Sequence, residues 1–309
     1  MANLRQLIEL PEVFFRAGVA GGAPVTIICR SFAHGRAGRR GRGPLRMARV
    51  KAILFDLGDT LLDFGPVDTL GLFARGARLA YRYLQRLGKP LPAFRAYHRA
   101  QLRAIRWHYV KSRLTRREFN SLDVLRRLGR AMGHELTDEQ VVELAWQWYV
   151  PLGRCVTVEE GLAELLAGLR DEGIRLAVVS NTFVPGQVLD RHLGRLGLLE
   201  LLPTRIYSCD VGWRKPTPAI FRLALERVGA PAEEAIFVGD SLAADVRGAA
   251  RVGMTAVLKD PTGARRRWRV RPDHRITSLG ELRPIVDARN RPSAGAAGAG
   301  ETTPRGATA

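Results

Sequence analysis

Cysteine is scarce in this sequence. Three occur in 309 residues, at positions 29, 155 and 209, and none forms a CxxC pair. That excludes a disulfide framework and a cysteine zinc site, and it suits a reducing cytoplasm. Cys209, beside an inferred strand end, reads as a buried inert thiol. Long apolar runs are also missing. A membrane span needs roughly 18–20 consecutive apolar residues, and the nearest approach, 11–29, is broken by Arg16, Gly18, Gly21 and Gly22. No internal repeat, glycine-rich dinucleotide loop or Ser-His-Asp arrangement is present.

Lysine is rare as well, five residues against 44 arginines, within a formal net charge of +19. The positive excess avoids segments 51–63 and 156–262, each of which carries a net charge of −2. A basic surface of this kind can bind nucleic acid or another polyanion. The arginine bias, with abundant alanine and glycine, equally fits compositional drift in a GC-rich genome, and that reading is preferred. Neither reading sets an oligomeric state.

Residues 1–46 are expected to be an unstructured extension, Arg- and Gly-rich over 30–46. Folded sequence begins at Met47, the expected natural start. A targeting leader is the rival reading, weakened by Glu9 and Glu12. Residues 288–309 form a Pro/Gly/Ala/Ser/Thr tail expected to be unstructured.

Between these ends, apolar runs alternate with helical periodicity. Strands are predicted at 50–55, 174–179, 205–208, 235–238 and 255–258, with helices at 159–172, 217–228 and 243–252. Strand–helix alternation of this kind predicts a doubly wound, Rossmann-like parallel α/β sheet. Residues 67–150 interrupt it with helix-compatible segments at 68–88, 93–111, 115–131 and 138–150. The expected organisation is therefore an α/β core over 47–64 and 156–287, with an all-helical insert over 65–155.

In a parallel sheet, ligands bind beyond the carboxyl ends of the strands, at the switch in strand order. Four segments bring polar residues to such ends: Asp56-Leu57-Gly58-Asp59-Thr60, Ser180-Asn181-Thr182, Gly212-Trp213-Arg214-Lys215-Pro216, and Gly239-Asp240-Ser241 with Asp245 following. These are the parts phosphoryl transfer demands. A carboxylate can attack phosphorus, paired acids can hold a hard cation, and a hydroxyl, backbone N–H groups and a lysine can steady phosphoryl oxygens.

The four motifs, in this order, are similar to those of haloacid dehalogenase-like hydrolases. The resemblance runs from Val50 to about Asp287, ending in DHRITSLGELRPIV, and the helical insert falls where many members carry a cap. It implies a Mg2+-dependent phosphatase acting on a small phosphorylated substrate. Asp56 would be the nucleophile and a metal ligand, forming an aspartyl-phosphate. Gly58, through its backbone carbonyl, and Asp240 would complete the metal site, with Asp245 in the outer shell or paired with the lysine. Ser180, Asn181 and Lys215 would bind the phosphoryl group.

One position departs from the pattern. Phosphatases of this type carry a second Asp, two residues after the nucleophile, that protonates the leaving group. Here Gly58 stands there and Asp59 follows. On an extended backbone one step turns a side chain to the opposite side, so Asp59 is only a possible acid–base group, with a turn or capping role as its alternative. Gly58 leaves open a slow enzyme for good leaving groups, an acid supplied from elsewhere, or a binding member with little or no turnover. Dehalogenases also lack the second Asp, but the Gly239-Asp240…Asp245 arrangement favours magnesium and hence phosphatase chemistry. The insert offers Arg106, Trp107 and Tyr109 as substrate contacts. Trp107, Trp146 and Trp148 read as insert core, and His108 and His192 as structural.

Overall fold

The computed structural model of the chain describes residues 48–263 and 270–291. The expected extension over 1–46 and most of the expected tail lie outside them. No helix among the described residues is long and apolar enough to cross a membrane.

Six parallel strands form one sheet: β1 (Ala52–Phe55), β2 (Arg175–Ser180), β3 (Thr204–Tyr207), β4 (Ala235–Gly239), β5 (Thr255–Lys259) and β6 (His274–Ile276), in the order β3-β2-β1-β4-β5-β6. The first and fourth strands are buried along their whole length. They therefore read as continuous apolar runs, as strands covered on both faces do. Alternation then sorts their side chains between two cores. Ile53, Phe55, Val178 and Val238 enter one, and Ala52, Leu54, Val179 and Phe237 enter the other. Burying each large apolar side chain stabilises the fold by about 1.5–3 kcal/mol.

Four helices follow β1 before the chain returns to the sheet side: α1 (Thr69–Arg86), α2 (Phe94–Thr115), α3 (Ser121–Ala131) and α4 (Asp138–Gly153). Their starts are written in the sequence. Asp68 accepts from the amide of Gly71, Asn120 accepts from the amide of Leu122, and Thr137 and Gln140 form a reciprocal capping box. Helices α1 and α4 meet at Gly76, where a Cβ would lie 2.2 Å from the carbonyl oxygen of Trp148. Only glycine permits that approach.

The chain leaves the core and returns to it side by side. Asp63 and Thr157 exchange both backbone hydrogen bonds, each at 2.9 Å. On the far side of the insert, Arg117 bridges Trp213 in antiparallel fashion, and the amide of Glu118 donates to Gly212 at 3.0 Å.

The longer of the remaining helices are α5 (Leu162–Asp171), α6 (Gly186–Arg195), α7 (Pro218–Val228), α8 (Arg247–Val252) and α9 (Leu282–Asn290). Helix α6 has no counterpart in the sequence reading, and the helix expected over 243–252 starts instead as a π-helical turn, Leu242–Val246. The last helix runs past the boundary at 287. Arg289 holds it there, donating to Thr255 Oγ1 at 2.6 Å and to the carbonyl oxygens of Glu233 and Ala48.

Candidate active site

Strand order reverses at β1: the chain proceeds outward to β2 and β3, then returns to lay β4 on the other side. The carboxyl ends of β1 and β4 therefore flank a crevice. Phe55 pairs with Val238 in register, and the Asp56 amide donates to the Val238 carbonyl at 2.8 Å. That bond aligns Asp56 with the strand that ends just before Asp240.

Asp56, Asp240 and Asp245 each present a carboxylate oxygen, and these oxygens lie within 4.8 Å of one another. Lys215 sits behind them. Its Nζ lies 2.8 Å from Asp56 Oδ1 and 2.7 Å from Asp245 Oδ1, with no side-chain exposure. Burial alone would lower the pKa of this lysine, but Asp245 and Asp56 together raise it, so the ammonium stays charged. One backbone contact brings Asp245 in. A Cβ on Gly239 would fall 2.5 Å from Asp245 Cγ, so only glycine lets the carboxylate lie against the strand end. Asp245 Oδ2 also accepts from the Ser241 amide at 2.9 Å.

One lysine does not balance three acids. Burial first, then Asp245, Asp56 and Asp59, push the Asp240 carboxyl up to about 7. Asp245 is raised to about 6, chiefly by burial and against the pull of Lys215. Asp240 Oδ1 is buried with no hydrogen-bond partner among the described residues. A buried, unpaired carboxylate oxygen in an all-oxygen cluster fits a hard divalent cation such as Mg2+.

Asp56, Gly58, Asp59 and Ser180 line one cavity of about 150 Å³. Asp59 corrects the extended-backbone expectation. Its φ is 56°, a left-handed conformation that aspartate tolerates, so the residue lies on the same rim as Asp56. Its charge also acts on Asp240.

Asn181 is joined to the loop that follows β3. Its Nδ2 donates to the Lys215 carbonyl at 2.9 Å, and its Oδ1 accepts from the Lys215 amide at 2.7 Å. The carboxamide thereby positions the backbone that carries the lysine.

The three candidates on α2 separate. Tyr109 lines the cavity. Arg106 is exposed, and Trp107 is 67% exposed, which also removes it from the insert core. The inward face of the helix carries Gln101, Ile105, Tyr109 and Ser112, and Trp107 lies about 200° around the axis from Tyr109. Trp146 is buried as expected, whereas Trp148 reaches the cavity wall. Of the two histidines, His192 is buried against the Tyr149 hydroxyl at 2.8 Å, and His108 packs beside Phe119. The thiol of Cys209 is buried, and that burial pushes its pKa up.

Sequence reasoning missed Glu118 and Arg214, which pair on the cavity wall, the carboxylate fully buried. Burial raises the pKa of Glu118, and Arg214 opposes the rise. Ser208 Oγ donates to the same carboxylate at 3.1 Å. Only the unusual Trp-Arg-Lys-Pro loop hinted at this pair.

A family described as haloacid dehalogenase-like hydrolase matches residues 50–253. The ribulose-1,5-bisphosphate 5-phosphatase of Halopiger xanaduensis is 29% identical over 245 residues, covering 76% of this chain and 98% of that protein. The glyceraldehyde 3-phosphate phosphatase of Methanopyrus kandleri is 32% identical over 208 residues, covering 67% and 83% respectively. Among solved structures, a HAD phosphatase from Thermococcus onnurineus superposes with a TM-score of 0.50 at 31% identity, covering 77% of this chain and 98% of its own.

Proposed function

Because the chain belongs to the haloacid dehalogenase-like hydrolases, we propose that it is a Mg2+-dependent phosphatase working through an aspartyl-phosphate on Asp56. The observation that carries this reading is the buried Asp56–Lys215–Asp245 array beside Asp240. Two relatives named as phosphatases of small phosphorylated metabolites support the reaction class. The free thiols of Cys155 and Cys209, the two cysteines among the described residues, suit a reducing cytoplasm.

Asp56, Asp240 and the Gly58 carbonyl would hold the cation, with Asp245 steadying them from the outer shell. The cation, when bound, offsets repulsion between a carboxylate nucleophile and an anionic phosphoryl group. Lys215 holds and aims the Asp56 carboxyl, and Asn181 fixes the lysine's backbone. The Ser180 hydroxyl donates to a phosphoryl oxygen. One Asp56 oxygen attacks phosphorus as the bond to the leaving group breaks. Water then attacks the phosphorus of the aspartyl-phosphate, releasing inorganic phosphate and restoring the carboxylate. Asp59 adds negative potential beside the cation site, and no acid stands at Gly58. The four-helix insert acts as a cap that excludes water.

The test is release of inorganic phosphate from p-nitrophenyl phosphate in Mg2+. EDTA and Asp56→Asn should each abolish it. Gly58 favours a second reading, a binding protein for phosphorylated ligands, which predicts ligand-induced stabilisation with no turnover across a broad substrate panel.

A further inference from the structure

The cavity above Asp56 has a lining of two kinds. Asp56, Gly58, Asp59 and Ser180 supply the polar part, and the rings of Phe64, Phe73, Tyr109, Trp148, Tyr149 and Phe183 supply an apolar wall. Several of these rings form a continuous array: Phe73 meets Trp148 edge to face with centroids 4.5 Å apart, and Trp148 meets Phe183 at 6.1 Å.

Several of the polar side chains near that wall are already engaged by neighbours. Thr182 Oγ1 accepts from the Val184 amide at 2.9 Å, and Tyr149 is bound to His192. The Asn181 carboxamide is held by the Lys215 backbone. Arg214 is the one cation lining the cavity among the described side chains, and Glu118 neutralises it. A polyol would find few groups here to replace its water, and a second phosphate would meet no unpaired cation among the described lining residues. A flat apolar group would find a ready surface.

A separate observation concerns bond breaking. At Gly58, where a leaving-group acid would stand, there is no side chain. Without an acid at that position, the site works best on a substrate that expels a weakly basic oxygen. A phenolate, with a conjugate-acid pKa of about 10, leaves as a far weaker base than an alkoxide, whose parent resembles water at roughly 15.7.

Wall and missing acid converge on one class, and, resting on the phosphatase reading above, we propose that the substrate is a phosphomonoester of an aromatic alcohol with no second phosphate. Asp56 attacks phosphorus, the phosphorus–oxygen bond breaks, and the phenolate leaves with the bonding pair and takes a proton from solvent. Water then cleaves the aspartyl-phosphate, so the net products are a phenol and inorganic phosphate.

The experiment compares kcat/KM of the full chain in Mg2+ for phenyl, 1-naphthyl and cyclohexyl phosphates, glycerol 3-phosphate and ribulose 1,5-bisphosphate. Phenyl should exceed cyclohexyl phosphate by about 100-fold, the size of a missing acid. Gly58→Asp should narrow that gap at least about tenfold by accelerating the cyclohexyl ester. Cyclohexyl phosphate should in turn exceed glycerol 3-phosphate through KM. The naphthyl ester should bind more tightly than the phenyl ester, and Tyr109→Ala should raise its KM. Glycerol 3-phosphate or the bisphosphate matching phenyl phosphate would overturn the aromatic assignment and leave the phosphatase standing. No turnover of any ester, phenyl included, would remove both.

Discussion

Asn181 and Lys215 are joined by a two-point clasp: the carboxamide of one receives the amide and grips the carbonyl of the other, at 2.7 and 2.9 Å. A side chain at the end of β2 thereby fixes the loop that carries the lysine bound to Asp56 and Asp245. Replacing Asn181 by Asp turns the donor into an oxygen facing the Lys215 carbonyl. Losing a buried bond costs about 1–3 kcal/mol, so Asn181→Asp should lower kcat by roughly tenfold to a hundredfold. Stopped assays with p-nitrophenyl phosphate measure the loss. An unchanged rate would detach the clasp from catalysis.

Lys215→Met should be harsher. It leaves Asp56 and Asp245 buried without their shared cation, and breaking a buried pair costs about 3–5 kcal/mol. Urea unfolding without divalent metal should report that loss, and activity should vanish. A fold as stable as the parent would show that the ion pairs are dispensable.

The acid cluster predicts a dependence of stability on pH. Asp240, raised to about 7, and Asp245, raised to about 6, hold more protons folded than unfolded. Their sign is therefore unfavourable to the folded state at high pH. Their contribution is fully present below the ordinary carboxylate range near 4 and is lost as pH rises through 6 to 7. Metal-free protein should show Tm falling across pH 5–8 relative to Mg2+-saturated protein, and Mg2+ affinity should weaken as pH drops below about 6. Parallel Tm curves with and without Mg2+ would contradict the shared-cation site.

Gly58→Asp should fold normally. A Cβ there meets only Phe64 Cε2, at 3.5 Å, an ordinary contact. Restoring an acid at this point should raise kcat on alkyl phosphates by about 10–100-fold, toward the lower end of what general acid catalysis supplies. No gain, with Tm unchanged, would mean that another group already protonates the leaving oxygen.

The central strands were legible because burial on both faces leaves uninterrupted apolar runs that stop at Asp56, Ser180 and Asp240. The helices of the insert were legible through Asp68, Asn120 and Thr137, whose caps are local. Helix α6 was not: GQVLDRHLGR opens with glycine, lacks a side-chain cap and shows few apolar residues. Helix α2 was visible but not its rotation, since arginines occur on several faces, and so Arg106 and Trp107 were chosen beside Tyr109. Asp59 was named, but not its placement beside Asp56, because one left-handed residue overturns a rule for extended chain. The Glu118–Arg214 pair joins residues nearly a hundred positions apart, and no local pattern announces it.

The paired strands at Asp63 and Thr157 have an evolutionary consequence. Both crossings occur at one spot, so the roughly ninety residues between them form a loop already closed at its base, and changing its length alters closure entropy only slowly. Mutation can therefore rework the rings that this segment lends to the aromatic wall, Phe64, Phe73, Tyr109, Trp148 and Tyr149, while Phe183 and the acids beneath keep their geometry. Selection for a new leaving group would act above that seam, leaving the reaction itself untouched.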